Sequence, residues 1–142
     1  MLINRPQVQL GFVLILLALL GGFAVSSFAQ PRLGLSAHLA GLIGGLLLIA
    51  LGMLDAAFIL GARSARLMRW SWTYAAYANW AACLVAAMTG ASRLTPIAGA
   101  GSSGNATAES VVALLLQSLA LAAIIGSVLS IRGLRSTDHS AR

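Results

Sequence analysis

Few side chains in this sequence can move a proton, and that scarcity makes each of them informative. Of 142 residues, three are Asp or Glu and two are His; lysine is absent and Cys83 is the single cysteine. Without lysine there is no Schiff-base chemistry and no Walker-type phosphate site. One cysteine excludes an intrachain disulfide, and no CxxC or Cys/His zinc spacing occurs, so no metal site is expected. What remains is His38, set in the apolar stretch PRLGLSAHLAGLIGG, and Glu109, the only glutamate, which opens a second apolar stretch. An imidazole and a carboxyl group are the usual partners in general acid–base catalysis. Two amides, Asn79 and Gln117, and two aromatic residues, Tyr77 and Trp80, lie deeper in apolar segments.

The elements that would position these residues are membrane helices. The chain is 59% hydrophobic and 8% charged, with a mean hydropathy of +0.91, whereas a soluble domain carries about 25% charged residues. Four apolar segments, about 8–28, 35–60, 70–90 and 110–131, each reach the roughly 20 residues that a membrane-crossing helix needs. The expected fold is therefore all-α, an integral membrane four-helix bundle spanning 1–134, followed by a short polar tail at 135–142. Arg5, Arg63, Arg66, Arg69, Arg132, Arg135 and Arg142 fall on one side of this plan, and only Arg32 and Arg93 on the other. The bias of arginine toward cytoplasmic loops puts both termini in the cytoplasm of a multi-pass chain. The same asymmetry explains the net charge of +6 without a nucleic-acid partner. Arg5, the apolar run and SFAQ also resemble a secretory signal, but the run is longer than a signal core of about 7–15 residues, so the first helix is expected to be retained.

Helical spacing sorts the segments into faces. His38, Gly41, Gly45, Leu48, Gly52 and Asp55 share one face of the second segment, a packing stripe on which another backbone could approach closely. Asp55 is expected to pair with the arginines of the 63–69 loop. In the third segment Ala75, Asn79, Ala82, Ala86 and Gly90 form a small-residue face, while Tyr77, Trp80, Leu84 and Met88 lie on another. Trp70, Trp72 and Tyr74 suit an interfacial belt; Tyr77 and Trp80 are deeper, either core filler or the walls of an aromatic pocket. Glu109 suits the first turn of the fourth helix, where an acid favours the dipole, with Thr107 as the expected cap. The loop at 91–108, ASRLTPIAGAGSSGNATA, is long for a connector in so compact a chain and reads equally as a lid. His38 and Glu109 open their helices at the same, non-cytoplasmic side, so one pocket could hold both above Tyr77, Asn79 and Gln117.

The motifs GLSAHLAG (34–41), YANW (77–80) and TPIAG (95–99), in order within a match running from about 31 to 134, resemble the hydroxylaminobenzene mutase family. That resemblance implies a small bacterial membrane isomerase that converts hydroxylaminobenzene to 2-aminophenol. Shared depth and motif position give His38 and Glu109 as the expected catalytic residues, and Ser36, Tyr77, Asn79, Trp80 and Gln117 as the expected substrate contacts. Aromatic walls would favour a developing ring cation, and a dry cavity would keep bulk water from the para carbon. The chain departs from the family pattern in having Gly44-Gly45 in place of Asn-Gly, and no histidine in the long loop.

Two other functions fit the same residues. A haem b could be held in the bundle with His38 as its single axial ligand, although bis-histidine ligation is excluded because His139 lies on the opposite side. Alternatively, the glycine stripe is an oligomer interface in a non-catalytic packing or carrier protein. The expected reading is an isomerase without a required cofactor, acting on a small aromatic hydroxylamine in the lipid bilayer as a homo-oligomer.

Overall fold

The computed structural model describes residues 3–134; Arg135, Arg142, His139 and the rest of the 135–142 tail lie outside the described residues. Its architecture is all-helical. Helices α1 (Arg5–Phe23), α2 (Pro31–Met53), α3 (Ala62–Thr89) and α5 (Ala106–Gly133) are long, and a short α4 (Pro96–Gly99) interrupts the loop between α3 and α5. Local chemistry sets the ends. Asn4 caps α1 by accepting from Gln7 N–H at 3.2 Å, and Pro31 starts α2 at a position where its missing N–H is harmless. Gly90 ends α3 with φ 73°, the left-handed conformation that glycine adopts freely.

Several boundaries move from those that hydropathy suggests. α2 begins at Pro31 and stops at Met53, with a 3₁₀ turn at Asp55–Ala57 where the apolar run continues. The arginine-rich 63–69 segment, expected as a loop, forms the first turns of α3. Arginine is a good helix former, and nothing in ARSARLMR breaks a helix. The cap of α5 is Asn105, whose Oδ1 accepts from Ala108 N–H at 2.8 Å, not Thr107. Helices α1, α2 and α5 are long and apolar enough to cross a bilayer. α3 matches them in length but is more polar, because Asn79, its tyrosines and its tryptophans lie along it.

The long helices pack as a row in which α1 meets α2, α2 meets α3, and α3 meets α5. The α1/α2 seam is backbone against backbone. A Cβ on Gly45 would fall 2.6 Å from the Gly11 carbonyl oxygen, and one on Gly11 would fall 2.6 Å from that of Gly45. Gly41 meets Ala18 and Gly52 meets Val8 in the same way. The stripe on α2 is thus covered within the chain by α1 and is not an oligomer interface. In lipid the aliphatic tails compete equally for apolar side chains, so close approach of small residues supplies the packing that holds helices together. At the arginine-bearing end, Asp55 receives both contacts of the Arg69 guanidinium, at 3.0 and 3.1 Å, as the sequence suggests. Trp72, expected in the belt, lies instead across Gly126 and donates from Nε1 to Ser130 Oγ at 3.0 Å, tying α3 to α5.

Gly45→Ala is expected to destabilise the protein in detergent by about 1–3 kcal/mol, the range for overpacking a tight contact. Gly21→Ala, where a Cβ meets nothing within 4 Å, should be neutral or stabilising by up to about 1 kcal/mol. Thermal unfolding of the two variants side by side checks the contrast.

Candidate active site

His38 lies two turns inside α2, on the edge that faces α1. Its Nδ1 is 2.8 Å from the Ala18 carbonyl oxygen. A carbonyl only accepts, so Nδ1 carries the hydrogen and donates it, and the neutral imidazole is left with its lone pair on Nε2. The ring reaches that carbonyl because α1 has a glycine opposite it: a Cβ on Gly22 would lie 2.7 Å from His38 Nδ1. No hydrogen bond to Nε2 forms among the described residues. The imidazole borders an apolar groove of about 410 Å³ lined by Leu19, Gly22, Phe23, Val25 and Leu35. Sequence reasoning missed Ala18 and Gly22, although Gly11, Ala18 and Gly22 recur at helical steps of seven and four.

The aromatic candidates stand on the neighbouring side of the same seam. Tyr77 donates its hydroxyl to the Leu10 carbonyl at 2.8 Å, and Trp80 presses on Gly41, where a Cβ would fall 2.8 Å from its Cδ1. Both pack on the core formed by Leu14, Leu48 and Ala76. Asn79 faces elsewhere, into a groove of about 230 Å³ between α2, α3 and α5 whose walls include Ala40, Ile43, Gly44, Leu47 and Leu119. Its amide makes no hydrogen bond among the described residues. At about 100° per residue, Leu47 sits half a revolution around α2 from His38, so the two grooves open on opposite sides of that helix.

Glu109 is part of neither groove. Its Oε1 accepts from the backbone N–H of Ser92 and of Gly104, and its Oε2 from that of Arg93, each at 3.0 Å. The carboxylate therefore fastens both ends of the long loop to the start of α5. The loop is stitched further by Ser92 Oγ donating to the Ser102 carbonyl, by Ser102 Oγ donating to that of Gly90 at 2.9 Å, and by Gln30 Nε2 donating to that of Gly99 at 3.0 Å. A Cβ on Gly99 would overlap Ser92, so TPIAG is a folded cap, not a loose connector. Ser36 gives its hydroxyl to the Arg32 carbonyl in its own helix at 3.1 Å, and Gln117 is exposed on the outer side of α5. Within one chain, then, Trp80 reaches the Gly41–Ala18 contact next to His38, Tyr77 is anchored about two turns further along α1 at Leu10, and Asn79, Glu109 and Gln117 stand apart from the His38 groove.

The sequence matches a known group of proteins. A sequence model described as styrene oxide isomerase matches residues 3–135. The chain belongs to the styrene oxide isomerase family. It is 41% identical over 133 residues to hydroxylaminobenzene mutase HabB of Ectopseudomonas oleovorans, covering 93% of this chain and 81% of that protein. Hydroxylaminobenzene mutase HabA of the same organism is 35% identical over 125 residues, 87% of this chain and 93% of the relative. No solved structure matches the chain significantly. Membership makes this family member a membrane isomerase of the mutase type, in agreement with the resemblance read from GLSAHLAG, YANW and TPIAG.

Removing the clamp should loosen the cap in graded fashion. Glu109→Ala loses three N–H partners and is expected to free both ends of the loop. Glu109→Gln, with one oxygen still able to accept, should lose less. Limited proteolysis between Ser92 and Gly104 reads the order wild type, Gln, Ala from slowest to fastest cleavage.

Proposed function

We propose that this isomerase rearranges an arylhydroxylamine of the hydroxylaminobenzene type to the ortho-aminophenol, with His38 as the residue that handles the proton. The observation that carries this reading is the fixed tautomer of His38. Nδ1–H is held by Ala18, so Nε2 is the single point at which the ring can take or return a proton. The reaction is an isomerisation and needs no net reagent. A proton reaches the N-hydroxyl oxygen, the N–O bond breaks, the oxygen bonds to the ortho carbon and gives up one of its two hydrogens, nitrogen gains one, and the ring hydrogen leaves to restore aromaticity. Imidazole can supply the first proton when charged and accept the last when neutral. Apolar walls exclude bulk water, which would otherwise add at the para carbon. The names of the family and of the relatives support the substrate class: both styrene oxide and hydroxylaminobenzene carry a breakable bond to oxygen next to a phenyl ring.

The roles of the other candidates follow from their surroundings. Tyr77 and Trp80 support the seam that positions His38, and Ser36 and Gln117 are assigned no part in the chemistry. Glu109 acts as the fastener of the cap. Asn79 is proposed as the amide that holds the N–OH group. Since its groove and that of His38 open on opposite sides of α2, a chamber using both is completed by a second copy of the chain. A homo-oligomer in a bacterial inner membrane, with both termini cytoplasmic, is therefore part of this reading. Co-expressed His38→Ala and Asn79→Ala chains should recover activity that neither has alone, and failure of this complementation would return the site to a single chain.

A second reading rests on the same seat. Metal-bound histidines almost always give their other ring N–H to a carbonyl or carboxylate, as His38 does. A haem b held by Nε2 would lie along the apolar groove beside Leu19 and Phe23, and it would supply an electron-poor centre for the substrate oxygen. A Soret band that disappears in His38→Ala supports this reading, and a colourless, fully active preparation excludes it.

Incubating membranes with hydroxylaminobenzene and separating ortho from para products tests the main reading. His38→Ala should reduce ortho product by about 10²–10⁴-fold, the range for a lost acid–base group, and Gln117→Ala should leave it unchanged. Gly22→Ala, which intrudes on the imidazole, should lower kcat while the protein still folds. Full activity of well-folded His38→Ala rejects the assignment.

A further inference from the structure

We propose that the cleft between the first turns of α1 and α3 is a headgroup site for an anionic phospholipid that carries a hydroxyl group. The cleft, of about 180 Å³, is lined by Gln7, Leu10, Arg66, Arg69, Trp70 and Thr73. It lies at the arginine-bearing end of the bundle, away from His38 and the cap.

Gln7 supplies the first requirement. It is 5% exposed, which is unusual for a glutamine. Thr73 Oγ1 donates its one hydrogen to the Arg69 carbonyl at 2.9 Å, so toward Gln7 it can only accept. Gln7 must therefore present its amide nitrogen there, at 3.1 Å, and this fixes the orientation of the whole amide. Oε1 is left at the cleft with no donor among the described residues. That oxygen keeps its lone pairs open to the cleft, so a ligand bringing a hydroxyl or N–H donor can bond to it.

Charge supplies the second requirement. Arg69 is paired with Asp55, and Glu109, the other acid among the described residues, is at the far end of the bundle. The Arg66 guanidinium therefore has no acidic partner among the described residues, and Arg5 and Arg63 add to the local positive field. A planar guanidinium matches two phosphate oxygens at once. Leu10 continues the cleft toward the apolar part of the bundle, and Trp70, 66% exposed, marks the interfacial rim. Phosphate, a hydrogen-bond donor close to it and an acyl chain occur together in phosphatidylglycerol. An ethanolamine headgroup has the donor but adds a positive charge among arginines, and choline has no donor.

Native mass spectrometry of the full chain, loaded in turn with phosphatidylglycerol, phosphatidylmethanol and phosphatidylcholine, tests the site. Phosphatidylmethanol keeps the phosphate charge and lacks the hydroxyls. Phosphatidylglycerol should be retained at least about tenfold better than phosphatidylcholine, a difference near 1.4 kcal/mol. Arg66→Gln should abolish that preference. Gln7→Leu should abolish discrimination between phosphatidylglycerol and phosphatidylmethanol while keeping both above phosphatidylcholine. If Gln7→Leu does not fold, Thr73→Val, which frees the amide to turn, should show the same loss. Equal retention of phosphatidylglycerol and phosphatidylcholine by wild type, or no change in Arg66→Gln, overturns the proposal. So does competition by soluble glycerol 3-phosphate as strong as that by the lipid, which would identify a free phosphate ester as the ligand.

Discussion

Everything at the candidate site depends on how closely the backbones of α1 and α2 approach. Gly11 and Gly45 face each other with room for neither to carry a side chain, and Gly41 and Gly52 extend the contact in both directions. At the upper end of that seam, the space left by Gly22 admits an imidazole, and the Ala18 carbonyl is near enough to take its hydrogen. A carbonyl in mid-helix is normally engaged by the N–H four residues on, and its second lone pair is what His38 uses. A seam only slightly wider would let the ring turn, and Nε2 would lose its fixed direction. The glycines and the histidine thus form one device: the packing stripe fixes the register of the residue proposed to carry the chemistry.

Polar groups in a lipid-facing protein cannot be left to solvent, and their pairing explains much of the remaining order. Tyr77 gives its hydroxyl to Leu10, Tyr74 and Ser118 share a hydrogen bond at 2.7 Å, and Trp72 reaches Ser130. Each bond links different helices, so α3 is tied to α1 on one side and to α5 on the other. Glu109 does the corresponding work at the membrane surface. One carboxylate gathers three loop amides and converts a glycine- and serine-rich segment into a cap. A proton donor would need an O–H with a partner of its own, whereas every donor around Glu109 points toward its oxygens. That arrangement suits an anchor.

The sequence made the helices, the α2 stripe and the Asp55–Arg69 pair legible, because each depends on local spacing or on unlike charges a few turns apart. The shared depth of His38 and Glu109 was legible for the same reason. Their meeting in one pocket was not, because periodicity gives the face of a helix but not the direction in which it looks. His38 turns toward α1 and Glu109 toward its own loop. The first helix was the least legible. Its Gly11, Ala18 and Gly22 are sparse among leucines, and nothing in α1 alone says that a histidine from another helix will lie against it. Trp72 is a similar case: an aromatic near an arginine-rich end reads as a belt residue until Gly126 opens a place for it on α5.

The open row of helices gives a reason for the groove beside Asn79. Neither α1 nor α2 has an extensive contact with α5, so α3 forms the floor of a trough whose walls are α2 and α5. Large side chains, Ile43, Leu47 and Leu119, stand on the walls, while Ala75 and Ala76 keep the floor low. Asn79 is the polar residue among these lining groups. An apolar trough with one amide at its floor has little use for water and suits a flat ring bearing one polar substituent. The same dimensions also admit a helix or a lipid tail, and the amide is what separates these occupants. An acyl chain leaves the amide without a partner, a cost that lipid cannot offset. A ligand or a neighbouring chain that brings its own polar group satisfies it. The trough therefore favours an occupant with a hydrogen-bonding group, which is a property that the substrate and a second copy of this chain share.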